Sequence, residues 1–461
     1  MAIKANEIYN FTVTPSVVPA DTESSIVIES TSGTFKFLEN VEYDVIFIPT
    51  EKSDVPSDMS VSGWDKNRVV HTVRASDGKI CLTHNFFGEQ EWRIKISSTE
   101  ERYDKYERDN GIEPPKGRRK YVEALKKGIM VSVYSLLPDL YSRNVKKCDF
   151  HIHTTYSDGN ETPQRTAANY RKRGFDVIAV TDHNVYNASK DTAKSLEFME
   201  NFKILPGEEV HNGYARKLHI VSVGSKYSVN DIFLDEPERV EAEVAALKGR
   251  VEVPKGVDEE EYLYRVWTYN EIKKSGGYAI FPHPFWTWKD SYHVETDMSE
   301  AVLKNGLCDA FELLGGCTPE ENNMQLALYF SLKSNGLKMP IVASSDNHST
   351  MPGSSWFDEY FTVLFEKDGD IFGAADKGYS VAVEAVSGEK VRVYGDFRMM
   401  KYAHFLIKNY FVRRKELCAA SGMFAERYLV YGDDCKNLII ECENRIKEIE
   451  DKFFGRNTSE K

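Results

Sequence analysis

The chain has 461 residues, of which 41% are hydrophobic and 28% charged, and it carries a formal net charge of −13. That length allows two or three domains with substantial cores, and the composition is ordinary for a globular protein. The acidic balance argues against a generic grip on long nucleic acids or an anionic membrane, which favour basic surfaces. No apolar run approaches the roughly 20 residues a membrane span needs.

Residues 1–7 lack the basic-then-apolar pattern of a secretion signal. The seven cysteines are odd in number and have no framework spacing, so reduced thiols in a cytoplasmic protein are expected. Cys148, Cys308 and Cys317 read as small core hydrophobes. Within residues 1–143, the stretches 12–18, 25–30, 43–48, 91–96 and 130–136 are short and β-branched, and Gly-, Pro-, Ser- and Asp-rich turns separate most of them. They predict an Ig-like antiparallel β-sandwich. Residues 103–127 are highly charged and read as an exposed excursion or helix, with Arg118-Arg119-Lys120 a solvated face.

Residues 144–395 alternate strands and helices, the pattern of parallel α/β folds. Residues 148–159 read as a short strand entering a turn. On an extended chain, positions i and i+2 share a face, which sets His151 beside His153. Asp158 follows in a Ser-Asp-Gly bend. Alone, this fragment fits a hydrogen-bonded pair as well as a pair of metal ligands. Thr162-Pro163 starts a helix that runs to Arg173 and stops at Gly174.

Further apolar strands each deliver polar groups. Residues 177–184 end in Asp182 and His183, and 204–209 end in Glu208 and Glu209. Residues 218–221 carry His219, 279–284 carry His283, and 341–348 end in Asp346 and His348. Helices are expected over 189–202, 268–274 and 319–334, with 227–266 an insertion whose acidic run at 258–261 is simply solvated. Residues 361–365 and 379–383 read as the closing strands. Residues 396–461 form a third, helical segment. In it Leu438, Cys442, Ile446, Ile449 and Phe453 make one apolar stripe, packed on the barrel or on a second subunit, so a homo-oligomer stays open. His404 reads as a plain surface or core histidine.

Most of these polar groups fall at the C-terminal ends of strands, the face on which α/β barrels assemble active sites. Gathering Asp158, Glu209 and Asp346 in one cleft is costly without cations, because the carboxylates repel and lose hydration. A metal cluster is therefore expected.

The motifs His-x-His-Thr (151–154) with Ser-Asp-Gly (157–159), Thr-Asp-His-Asn (181–184), Gly-x-Glu (207–209), an isolated His219, His-Pro (283–284) and Ser-Asp-x-His (345–348) occur in that order. Over residues 146–384 the chain thereby resembles the PHP (polymerase and histidinol phosphatase) superfamily of metal-dependent phosphoesterases. The resemblance implies a distorted (β/α)7 barrel and two or three divalent ions. The first would be held by His151, His153, Glu209 and Asp346; the second by Glu209, His219 and His283; the third by Asp158, His183 and His348. Mixed imidazole and carboxylate ligands suit Mn, Fe or Zn.

The expected reaction is in-line attack of a metal-bridging hydroxide on a phosphate ester of a small metabolite or nucleotide. Asp182 would orient a ligand or accept a proton, while Asn184, His211 and Arg216 are candidates to touch the substrate phosphate. Glu209 is preferred to Glu208, since neighbours on an extended chain point opposite ways. His219 lies early in its strand, where a satisfied core histidine is the competing reading. Two other functions stay open. One is an amidohydrolase-type hydrolase, although that family usually has a bridging Lys and a lone terminal Asp. The other is a nuclease acting on short oligonucleotides.

Overall fold

The computed structural model describes residues 11–31, 37–39, 41–51, 69–111, 128–211, 218–354 and 356–456. Two compact units emerge. One comprises Met1–Arg143, His404–Arg413 and Lys447–Lys461, the other Asn144–Ala403 and Arg414–Ile446. The C-terminal helices Phe397–Asn409, Phe411–Tyr431 and Lys436–Phe454 are thus divided between them.

In the first unit, β1 (Phe11–Thr14), β3 (Thr22–Ser30) and β6 (Lys79–Phe86) form one antiparallel sheet. A second, five-stranded sheet has the order β2 (Val17–Pro19), β8 (Ile129–Leu136), β7 (Gln90–Ser97), β4 (Glu42–Pro49), β5 (Val69–Arg74). Burial alternates residue by residue along β4, and both sheets feed one apolar core that includes Ile26, Ile28, Phe47, Ile80, Phe86, Trp92 and Ile94. Part of the charged 103–127 stretch lies in the helix Glu100–Asn110. The remainder, with Arg118, Arg119 and Lys120, is outside the described residues.

The second unit is built on one ten-stranded sheet. Its order is β17 (Ile341–Ala343), β16 (Ala310–Leu314), β13 (Tyr278–Phe281), β12 (His219–Val223), β11 (Lys203–His211), β10 (Val177–Val180), β9 (Asn144–Asp149), β18 (Tyr360–Glu366), β19 (Ser380–Glu384), β20 (Arg392–Tyr394). Every residue of β10, β12 and β18 is buried, as expected for strands covered on both faces. The sheet curls until β17 meets β18 and β19 through side chains: Thr362 Oγ1 receives the Ala343 amide at 2.9 Å, and Ser380 donates to the Ile341 carbonyl at 2.8 Å. Cys148, Val177, Val221, Ile280, Val342 and Leu364 share one core with Ile371 of the short helix Ile371–Asp376.

Pairing is not uniformly parallel, against the expectation. β12 runs antiparallel to both β11 and β13, and the closing strands β18 and β19 are antiparallel as well. The reversal at β12 has a consequence for the site, because it brings the first residue of that strand to the end where its neighbours finish.

The acidic run at 258–261 is more than solvated surface. Asp258 caps the helix Glu259–Lys274, its side chain receiving the Glu261 amide at 2.8 Å, and Glu259, Glu260 and Glu261 occupy the first turn, where a helix N-terminus favours negative charge. The 227–266 insertion also holds the helices Val229–Asp235 and Pro237–Leu247. The helix expected over 189–202 shortens to Lys190–Ser195, while that at Pro319–Ser334 carries a full Thr318/Glu321 capping box. In the last helix the buried stripe begins at Ile439, and Leu438 is exposed. Among the described residues, no helix is long and apolar enough to cross a membrane.

Candidate metal centre

His151 and His153 lie just beyond β9, where Ile152 bridges to Asn347 and the His153 amide donates to the Asn347 carbonyl at 2.9 Å. The two Nε2 atoms stand 3.2 Å apart. Asp149, the last residue of β9, ties this segment to the end of β17: its carboxylate accepts from the Ser345 amide at 3.0 Å and from the Tyr170 hydroxyl at 3.0 Å. Burial pushes the Asp149 carboxyl up to about 6 despite those bonds.

The bend carrying Asp158 is closed by Gly159, whose amide donates to the Thr154 carbonyl at 2.9 Å. A Cβ at 159 would fall 2.5 Å from the His153 carbonyl oxygen, so only glycine fits. Asp182 braces the same turn. Its carboxylate receives the Thr154 amide at 2.7 Å, the Thr154 hydroxyl at 2.8 Å and the Ser157 hydroxyl at 2.7 Å. Both carboxylate oxygens of Asp182 are thus engaged by the turn that precedes Asp158.

Glu209 is the hub. Its Oε2 lies 3.2 Å from His151 Nε2, 3.4 Å from His153 Nε2 and 3.1 Å from His183 Nδ1, and its Oε1 lies 2.7 Å from His219 Nδ1 and 3.3 Å from His283 Nε2. Glu208 faces the other way and receives the Ser228 hydroxyl at 2.7 Å and the Val229 amide at 2.6 Å, at the start of the Val229–Asp235 helix. Asp346 Oδ1 sits 3.0 Å from His153 Nε2 and 3.3 Å from His151 Nε2. Asp158 approaches His153 at 3.6 Å, His183 at 3.8 Å and His348 at 3.3 Å. All nine residues expected as ligands are therefore gathered at one end of the sheet. His219 belongs among them because β12 runs backwards.

His283 and Asp346 both have left-handed backbone, with φ of 26° and 49°. Non-glycine residues avoid that region, and the strain, about 1–3 kcal/mol each, persists only where surrounding structure imposes it.

Two further side chains that the sequence reading passed over join the cluster. Glu312, the one acid in the apolar β16, accepts from His151 Nδ1 at 3.0 Å and is fully buried. A lone carboxylate inside an otherwise apolar strand was the available signal. His293 groups with His219 and His283, their ligand-capable atoms lying within 4.8 Å of one another.

His211 pairs with His219 across the β11–β12 ladder, its ring centroid 4.6 Å from that of His219 and 5.0 Å from that of His183. Asn184 is exposed with φ of 56°. Arg216 lies outside the described residues.

The donor set fits divalent cations. Glu209 Oε2 and the Nδ1 atoms of His183 and His219 have no hydrogen-bond partner among the described residues, although they lie 2.7–3.1 Å from one another's groups. Buried donors that lie this close without pairing suit a shared cation. Electrostatics agrees. Burial opposes ionisation of Glu209, but His219, His183 and His151 outweigh it and hold the carboxyl well below its usual range. Burial likewise disfavours a charged His153, yet Asp346 and Glu209 lift it to about 9. His151, His283 and His348 are also raised, burial again being overcome by their carboxylate neighbours, while burial holds His183 down to about 4 and lowers His219.

A curled α/β sheet with imidazoles and carboxylates converging at its strand ends defines a metal-binding α/β domain. Residues 149–246 match the PHP domain family. The matched segment carries His151, His153, Asp158, His183, Glu209 and His219. An uncharacterized protein of Methanocaldococcus jannaschii is 29% identical over 150 residues, which cover 30% of this chain and 68% of that protein. The DNA polymerase/3'-5' exonuclease PolX of Bacillus subtilis is 32% identical over 101 residues, 19% of this chain and 18% of PolX. A two-domain protein of Bacteroides vulgatus, containing a predicted PHP-like metal-dependent phosphoesterase, aligns in structure with a TM-score of 0.38 and 20% identity, covering 54% of this chain and 67% of that one.

Proposed function

We propose that the chain is a metal-dependent hydrolase of phosphate esters, acting on a small phosphorylated metabolite or nucleotide. The observation that supports this reading best is the convergence on Glu209 of five imidazoles, from His151, His153, His183, His219 and His283. In this reading His151, His153, Glu209 and Asp346 hold one ion, Glu209, His219 and His283 a second, and Asp158, His183 and His348 a third. Divalent ions so held would polarise a phosphoryl group and bring the pKa of water near neutrality.

The chain's own residues do the rest. Glu312 accepts a hydrogen bond from His151 Nδ1 and so leaves Nε2 to face Glu209 and Asp346. Asp182 fixes the turn from which Asp158 projects. His211, beside His183 and His219, is the residue proposed to meet the substrate phosphate. Cytoplasmic localisation and Mn, Fe or Zn as the native metal belong to the same proposal.

The test is a Mn-loaded sample offered p-nitrophenyl phosphate, bis-p-nitrophenyl phosphate, an anilide and a short oligonucleotide. Turnover of a phosphate ester supports the reading; turnover of the anilide alone overturns it.

A further inference from the structure

His293 lies outside every motif of the family resemblance, yet the fold delivers it to the metal centre. Immediately after His283 the chain leaves in a short hairpin, Thr287–Trp288 pairing with Ser291–Tyr292, and returns. The return is fixed at two points: the His293 amide donates to the Trp286 carbonyl at 2.7 Å, and the Val294 amide to the Pro284 carbonyl at 2.9 Å. The outgoing arm is held independently, because the Thr287 amide donates at 2.7 Å to Glu321, the same carboxylate that closes the capping box of the Pro319–Ser334 helix. Val294 then enters the core with Met298 and Phe311.

A hairpin pinned in this way sets the His293 ring against the two histidines on the Oε1 side of Glu209. Its centroid is 4.2 Å from that of His219, with the rings nearly perpendicular, and 5.7 Å from that of His283. The side chain is 94% buried, and Nδ1 has no hydrogen-bond partner among the described residues. A buried imidazole nitrogen without a partner is costly, and the Nδ1 atoms of His219 and His283 are likewise without a hydrogen-bond partner among the described residues. Ligand-capable atoms of the three histidines lie within 4.8 Å of one another. Three nitrogens around a single ion, each at about 2.1 Å, lie about 3.4–3.6 Å apart, so the three reach a shared ion with side-chain adjustments of up to about 1 Å.

We infer that His293 is a fourth protein ligand at the second metal position, completing a set of Glu209, His219, His283 and His293. The inference rests on the metal-centre reading but not on the identity of the substrate. Three imidazoles and one carboxylate make that position the most nitrogen-rich of the cluster. It should favour Zn, Fe or Cu over Mg or Ca and hold its ion when weaker positions have emptied.

The experiment reads metal, not turnover. Wild type, His293→Ala and His293→Gln are stripped, reloaded with Zn2+, gel-filtered and analysed for zinc per chain, and the zinc affinity of each stripped protein is measured by calorimetry. Circular dichroism and melting of the metal-free forms check the fold, and the near-isosteric glutamine variant serves if alanine unfolds. Loss of one zinc equivalent, or weakening of one affinity class by at least ~10-fold, is the expected result in both variants. Full stoichiometry and unchanged affinity in a folded variant would overturn the inference, even if its turnover fell. Because no substrate is present, a protein that hydrolyses no phosphate ester but loses the zinc equivalent leaves this assignment standing, and the converse result leaves the activity standing without it.

Discussion

Oε1 of Glu209 lies 2.7 Å from Nδ1 of His219 although the two residues sit on strands that run in opposite directions. The contact exists because β12 enters the sheet at the end where β11 finishes. Replacing Glu209 by Gln keeps the shape but removes the charge that holds five imidazoles together. Metal affinity should fall by more than ~100-fold, beyond the loss that outer partners of a ligand cause, with a parallel fall in kcat/KM. Calorimetric titration of wild type and Glu209→Gln with Mn2+ reads the first quantity; equal affinity in the two would contradict the hub assignment.

Glu312 makes no contribution as a ligand in this arrangement; it acts through His151, whose Nδ1 donates to it at 3.0 Å. Glu312→Gln should therefore cost about 10–100-fold in metal affinity while leaving the other ligands in place. Glu312→Ala should do more, since it strands a buried imidazole proton. The distinguishing readout is the pH profile of metal uptake. It should move in Glu312→Gln, because the tautomer and basicity of His151 change, and stay put if the residue is only packing.

The polar motifs were legible because each is a short string at the end of an apolar run. Their convergence was legible only through the cost of crowding Asp158, Glu209 and Asp346 together. Strand direction was not: a five-residue apolar run such as 219–223 looks the same whichever way it is paired, so His219 appeared to sit at the wrong end. Glu312 and His293 were missed for different reasons. The first is hidden in an apolar strand, and the second is brought in by a hairpin whose outgoing arm is held by Glu321, 34 positions beyond Thr287. The buried stripe of the last helix starts one residue later than expected, at Ile439, and beside it Glu443 is buried in an ion pair.

That ion pair makes a stability prediction. Arg171 donates to Glu443 at 2.7, 2.8 and 3.0 Å, and Ser421 adds a bond at 2.6 Å, all in the interior of the second unit. Removing one partner leaves an uncompensated buried charge, at a cost of about 3–5 kcal/mol. Arg171→Met should lower the urea midpoint accordingly, and adding Glu443→Leu to it should recover much of the loss. A double variant less stable than the single one would argue that the pair contributes net stability.

In the first unit, His84 stacks on Phe47 with 3.9 Å between ring centroids and faces His71 at 3.4 Å. Burial, with a smaller contribution from His71, lowers its pKa from 6.5 to about 4. A folded-state pKa below the unfolded one means that folding favours the neutral ring. Its stabilising contribution is present above pH 6.5 and is lost as pH falls from about 6.5 to about 4. His84→Phe removes the titrating group while keeping an aromatic ring on Phe47. Between pH 7 and pH 4 the wild type should lose more melting temperature than His84→Phe; parallel curves would show that His84 carries none of the acid sensitivity.

The metal centre should exchange protons for metal. In the metal-free chain the ionised Glu209 and Asp346 are balanced by protonated imidazoles, His153 being lifted to about 9 and His151 and His283 raised as well. A divalent ion needs neutral imidazole, so those protons must leave when it binds. At pH 7, loading should release protons, and apparent affinity should climb as pH rises from about 6 toward about 9, the value for His153. Chelation should in turn lower the melting temperature, since whatever binds only the folded state stabilises it. Calorimetry in buffers of different ionisation enthalpy counts the released protons directly. Binding whose enthalpy is independent of the buffer would show that the imidazoles are already neutral at pH 7 and that something other than protons balances the buried carboxylates.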